Sequence, residues 1–281
     1  MIQEIRIKNY LSFRDEVVLS FEATKDTTFE ECQVANVTPR VRLLRFVLIY
    51  GANASGKSNL LKAMDFLRDF WFDKKSDIDE ETGVVPFLLD TETPNEPSEF
   101  NIKFFVGDKR YWYALVLDDK QVIKEDLYVY NSVQPSLVFS RELDGTASLI
   151  KLNASLVKAN ATILEQLNVK CLSNMSFFAA RNQVNCSLAY IDEVRDWMKN
   201  NMMPIIEPGT RMFEYAGKQM EKNAELKAYI LDFVHKADYN ITDVYTEREK
   251  VPIPDFVKTS IMEDKDIPEK TKEKMRADNA L

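Results

Sequence analysis

Apolar and polar residues alternate from the start of the chain. Arg6 separates Ile5 from Ile7, and beyond the polar residues 12–15 the alternation returns at Val17, Leu19 and Phe21. A period of two sets one side of a strand against a core, so this segment predicts a β-hairpin. Residues 24–39 are polar, with sparse apolar positions, and read as a loop. Residues 41–50 gather Phe46, Val47, Leu48 and Ile49 in one run, the pattern of a strand buried on both faces. From Asn59 the period changes: Leu60, Leu61, Met64, Leu67 and Trp71 recur at helical spacing until the charged stretch 73–81. Alternation resumes at Phe100, Ile102, Phe104 and Val106, turns at Gly107 and Asp108, and continues through Tyr111, Tyr113, Leu115 and Leu117. With further short strands over 122–130, 137–141 and 148–152, this region predicts an antiparallel meander. Beyond Asn153 the signals are helical, over 154–168, 188–200 and 213–236. Residues 247–281 mix Lys and Glu with Pro252, Pro254 and Pro268, the composition of a charged, partly mobile tail.

The chain has 281 residues, and 45% hydrophobic residues can build a sizeable core. With 29% charged residues and a formal net charge of -8, the molecule has no bulk attraction for nucleic-acid backbones or anionic membranes. Any nucleic-acid contact has to come from a local patch. Cys32, Cys171 and Cys186 lack C-x-x-C spacing, and the single His235 cannot complete a zinc site of the usual kind, so the cysteines read as reduced core residues. No apolar run approaches the length of a membrane span, and the first residues do not form a signal-peptide core. The bacterial cytoplasm is the simplest expected compartment.

The chemistry concentrates between the apolar run and the first helix. Gly51-Ala52-Asn53-Ala54-Ser55-Gly56-Lys57-Ser58 fits G-x-x-x-x-G-K-[ST], and it sits in the order strand, glycine-rich turn, helix that a phosphate-binding loop requires. Such a loop aims successive backbone N–H groups at phosphate oxygens, and the positive end of the helix dipole adds to them. Gly51 and Gly56 permit the tight backbone path. Lys57 would neutralise charge on the β- and γ-phosphates, and the Ser58 hydroxyl would ligate a Mg²⁺ bridging them. Asn53, Ala54, Ser55 and Asn59 complete the expected ATP-binding set.

The letters around this loop, G-A-N-A-S-G-K-S-N-L-L-K-A-M, resemble the pattern of RecF- and SMC-like ATPases, in the ABC-type branch of P-loop proteins. The opening I-R-I-K-N-Y-L-S-F-R-D resembles their first strand and turn. A closer similarity is to bacterial AAA-family abortive-infection and RloA-like ATPases, carried by Y-G-A-N-A-S-G-K-S-N-L-L and the P-S-E-F-N-I-K-F strand at 97–104. The resemblance spans most of the first 150 residues and is looser beyond.

It implies an α/β fold, an ABC-type P-loop head with a mixed sheet, an antiparallel β-subdomain and a helical subdomain. The expected regions are a nucleotide-binding lobe over 1–152, a helical subdomain over 153–246 and the tail. The resemblance also implies ATP and Mg²⁺ as cofactors, a homodimer or higher oligomer through ATP-sandwiched heads, and an effector nuclease or toxin as partner. In such heads the turn after the first strand approaches the nucleotide. Arg14 is therefore a candidate contact, beside Ser12 and Phe13, and an ordinary solvent-facing arginine is the alternative. Gln121 and Gln134 fall at surface turns and identify no Q-loop residue.

Two further features invite over-reading. Phe100, Phe104, Trp112, Tyr113 and Tyr128 could offer a base-stacking surface, but their alternation fits sheet packing better. Leu188-Ala189-Tyr190-Ile191-Asp192-Glu193 resembles a Walker B strand with its carboxylates. However, Leu188, Ile191, Val194 and Trp197 share one helical face, and no signature loop precedes the pair, so Asp192 and Glu193 are expected on the outside of a helix. With that pair set aside, the sequence shows no Walker B or signature motif and reads as the N-terminal part of a longer ATPase, truncated at its C-terminus, that holds nucleotide and hydrolyses it poorly. An ATPase subunit of an anti-phage, abortive-infection system is the favoured function. A RecF/SMC-like DNA-maintenance ATPase and a non-hydrolysing interaction module are the alternatives.

Overall fold

The alternating segments pair largely in chain order. In the computed structural model, which describes residues 1–145, 147–210, 212–237, 239–247, 254–263 and 272, strands β1 (Ile2–Lys8), β2 (Val17–Ser20), β5 (Ser98–Val106), β6 (Lys109–Leu117), β7 (Val122–Tyr130), β8 (Ser136–Asp144) and β9 (Ala147–Leu152) form one sheet. Its order is β2-β1-β5-β6-β7-β8-β9, and every neighbouring pair is antiparallel. The expected hairpin and meander are both present, merged through the pairing of β1 with β5. The fold is thus mixed α/β, but the sheet is antiparallel throughout instead of mixed.

One face of this sheet is the core. Ile5, Ile7, Phe100, Ile102, Phe104, Tyr113 and Leu115 are fully buried there, beneath helices α2 (Lys57–Phe70), α4 (Phe177–Arg181) and α5 (Ile191–Asn201). Ring contacts mark the seams: Phe66 on Phe100 at 5.2 Å, Trp71 on Tyr113 at 5.7 Å, Trp197 on Phe104 at 4.3 Å and Phe177 on Phe139 at 4.0 Å between centroids. On the opposite face Trp112 stacks on Tyr128 at 4.6 Å, among the ion pairs Glu4–Arg6, Glu4–Lys103 and Lys8–Glu99. Phe100, Phe104 and Tyr113 are therefore packing residues, and the other two aromatics occupy each other.

Three expectations need correction. The apolar run 41–50 is a strand only over β4 (Val41–Leu44), which pairs with β3 (Val34–Thr38) in a separate two-stranded sheet. Phe46, Leu48 and Tyr50 are 72%, 72% and 87% exposed, so this run is not buried on both faces. A strand exists only when a neighbour meets its backbone groups, and among the described residues none is placed alongside 46–50. The segment read as a loop over 24–39 holds β3 and the single turn α1 (Glu30–Gln33). Cys171 is buried, as expected, and burial pushes its thiol pKa up to about 11, but Cys32 is exposed; all three cysteines are free.

The helical signals shift at their edges. The first becomes α3 (Ala161–Lys170), which starts where Asn160 caps the Ile163 amide. Helices α3 to α5 contribute Leu167, Phe178, Val194 and Met198 to the same core as the sheet, within a compact unit over residues 1–205. A second unit covers 206–281. There the helix expected over 213–236 is two, α6 (Phe213–Lys222) and α7 (Ala224–Lys236), because Asn223 leaves helical geometry and caps the Leu226 amide at 3.0 Å. The expected tail contains α8 (Asp255–Glu263), and most of its remainder lies outside the described residues. Among the described residues, no helix is long and apolar enough to cross a membrane.

Candidate nucleotide-binding site

Helix α2 starts without a side-chain cap. Its N-cap is Gly56, and its first turn carries no acidic residue, so the orphan N–H groups of that turn and the positive dipole end are not offset from within the helix. The preceding loop adds two left-handed residues, Ala54 at φ 62° and Gly56 at φ 89°, which turn its peptide planes as an anion-binding nest requires. Residues 51–55 and Ser58 are exposed, and the Ser58 hydroxyl makes no hydrogen bond to a described residue. The Lys57 ammonium donates to Gly51 O at 2.9 Å, to Ala52 O at 2.6 Å and to Ser55 Oγ at 3.3 Å. The lysine is thereby folded back over its own loop.

Gly56 is required by more than its dihedral. A Cβ built there would lie 2.9 Å from Phe13 Cε1 and 3.1 Å from Ser12 Oγ. Gly56→Ala combines a left-handed strain of roughly 1–2 kcal/mol with that collision. We expect it to lower the midpoint of urea unfolding and to weaken nucleotide binding. An unchanged midpoint with unchanged binding would show that the loop backbone is free to rearrange.

The turn after β1 reaches the start of α2. The Asn59 side chain donates to Ser12 Oγ at 2.8 Å, across to the turn after β1. Arg14, on that turn, is exposed and paired with Asp15 at 3.2 Å. Asp192 and Glu193 lie in the first turn of α5, which is the predicted helix, but they are more engaged than outward charges. Arg181 reaches Asp192 at 2.8 Å, and the Leu188 amide donates to it at 2.8 Å. Glu193 accepts from Lys109 at 2.8 Å and from the Tyr111 hydroxyl at 2.9 Å. That hydrogen bond raises the Lys109 pKa, and burial first, then Glu193, raises that of Tyr111. Both carboxylates serve to fasten α5, and no hydrogen bond or ion pair recorded for them involves Lys57 or Ser58. Among the described residues, no cluster of three or more His, Cys, Asp or Glu side chains could hold a metal ion.

Sequence reasoning underweighted the turn after β1. Of the three candidates there, Ser12 and Phe13 touch Gly56 of the loop, because the pairing of β1 with β5 decides where the turn lands.

An uncapped helix N-terminus, a left-handed glycine and a lysine on one loop are the parts from which a P-loop is built. Residues 46–152 match the family described as "AAA domain, putative AbiEii toxin, Type IV TA system", an ATPase-like P-loop family associated with such toxin systems; the match implies nucleotide binding. No curated protein and no solved structure matches the chain significantly.

Proposed function

We propose that this chain is the ATP-binding part of an ATPase in a prokaryotic anti-phage or abortive-infection system, whose nucleotide state switches a partner effector. The supporting observation is the geometry of residues 51–58, inside the segment that matches the toxin-associated family. In this reading the loop amides and Lys57 hold the β- and γ-phosphates, Asn53 and Ser55 line their path, and the exposed Ser58 hydroxyl is the protein's ligand to Mg²⁺. A Mg²⁺ bound there would neutralise phosphate charge. The start of α2 fits a phosphate, since its first turn has no side-chain cap and no acidic residue, and the exposed Ser58 hydroxyl is the group that would meet the metal.

A second reading, a nucleotide-dependent module with little turnover of its own, draws on the engagement of Asp192 and Glu193 elsewhere. Hydrolysis needs a carboxylate beside the metal and a base for the attacking water, and these two are committed to fastening α5. A phosphate-release assay on the purified chain measures how much turnover these residues support by themselves. We expect saturable Mg·ATP binding with release near background. Turnover at ordinary ATPase rates that is lost in Glu193→Gln would show that Glu193 is the catalytic base. Copurification with the product of an adjacent gene, dependent on ATP, tests the effector switch. ATP-dependent, salt-sensitive binding to duplex DNA would instead favour a DNA-maintenance role.

A further inference from the structure

We infer that Ser12 and Phe13 are positioning residues of the nucleotide site: through them the turn after β1 holds Gly56 and Asn59 in the phosphate-accepting conformation. The inference rests on the nucleotide-binding reading and goes beyond it, because neither residue lies in the P-loop motif.

The turn is itself immobilised from below. Asn9 is fully buried, and its side chain donates to Thr93 O at 2.7 Å and Glu96 O at 2.8 Å and accepts from the Phe87 amide at 2.9 Å. Ser98 Oγ closes on the Asn9 carbonyl. Asn9 and Leu11 both adopt left-handed φ, 51° and 50°, and Tyr10 exchanges backbone hydrogen bonds with Phe13, each at 2.9 Å. The Leu11 amide donates to Val85 O at 2.9 Å. Tyr10 runs inward, with its ring 5.2 Å from that of Phe100 and its hydroxyl donating to Lys62 O of α2 at 3.3 Å. The tip of the turn is thus tied to the sheet, to the 85–97 segment and to α2.

From this base the tip makes two contacts, both on the hinge of the loop. The Phe13 ring edge lies against Gly56, the residue with the freest backbone at the N-cap of α2. Ser12 Oγ accepts from Asn59 in the first turn of the same helix. Without the ring, Gly56 regains the range of φ and ψ that a glycine allows, and the amides of 56–58 lose their common direction. Ordering them on binding then costs affinity, which a preorganised loop avoids.

The test is titration of the full chain with Mg²⁺ and a fluorescent ATP analogue, paired with thermal melting without nucleotide. Phe13→Ala is expected to raise Kd by about tenfold, and Phe13→Leu, which restores bulk over Gly56, by less. Ser12→Ala, at an exposed residue, should raise Kd while leaving the nucleotide-free Tm unchanged. It should add little to Asn59→Ala in the double variant, because both remove one hydrogen bond. If wild type binds, Lys57→Ala does not, and Phe13→Ala and Ser12→Ala bind like wild type, the positioning role is overturned and the nucleotide site stands. Failure of the wild-type chain to bind overturns both.

Discussion

Replacing Lys57 by Ala is expected to abolish most of the stabilisation that Mg·ATP confers while leaving the nucleotide-free protein as stable as wild type. Among the described residues the lysine's hydrogen bonds all go to its own loop, to Gly51 O, Ala52 O and Ser55 Oγ, so its loss removes no hydrogen bond from the core. Its charge-assisted bonds to phosphate are replaced by nothing. At a ligand concentration a hundred times the wild-type Kd, binding stabilises the fold by roughly 2.7 kcal/mol, and a variant about a hundredfold weaker gains only about 0.4 kcal/mol. Thermal shift with and without Mg·ATP reads this difference. Equal shifts for the two proteins would remove Lys57, and with it the P-loop assignment, from the account.

The largest effect on stability is expected at Arg141. It is fully buried, as is its partner Glu125, which it meets at 3.3 Å. The guanidinium also donates to the carbonyls of Met175 at 2.7 Å, Leu172 at 2.8 Å and Ser173 at 3.2 Å, and to Ser148 Oγ at 3.1 Å. Glu125 in turn accepts from Tyr113, Ser176 and the Phe177 amide at 2.9, 2.7 and 2.8 Å. This network ties the 172–177 segment to strands β7, β8 and β9, and it raises the Tyr113 pKa well above its usual value, through burial first and then the Glu125 charge. Arg141→Met keeps volume but leaves the buried Glu125 carboxylate without its counter-charge and the Met175 carbonyl without the guanidinium, at a cost of roughly 3–5 kcal/mol. Adding Glu125→Gln removes the uncompensated charge, so the double variant should lose less than the sum of the two single losses. Urea unfolding of the four proteins measures both quantities. A loss below about 1 kcal/mol for Arg141→Met would mean that water reaches the pair and solvates it.

Short-range chemistry is legible in the residues alone. The period of two over 2–21 and 98–152 predicted the strands, because one face of each had to enter a core. The glycines, lysine and serine of 51–58 predicted the loop, because a phosphate cradle is built from consecutive backbone amides. The shared face of Leu188, Ile191, Val194 and Trp197 marked a helix in place of a catalytic strand, and α5 is that helix.

What the tertiary structure decided depended on partners distant in the chain. The run 41–50 carries the composition of a buried strand, but composition says that a segment suits burial and not which neighbour will bury it; Phe46, Leu48 and Tyr50 stay exposed. Arg141 and Glu125 are ordinary charges in alternating strands until the carbonyls of 172–175 arrive to satisfy the guanidinium. Asp192 and Glu193 were expected to face solvent, and Arg181 and Lys109 make them fasteners. Phe13 meets Gly56 only because β1 pairs with β5 and sets its turn against the first turn of α2. Hydrogen-bonding periods and loop chemistry are written over a few residues and can be read there, whereas side-chain partnership is a property of chain segments brought together by folding, and no local pattern encodes it.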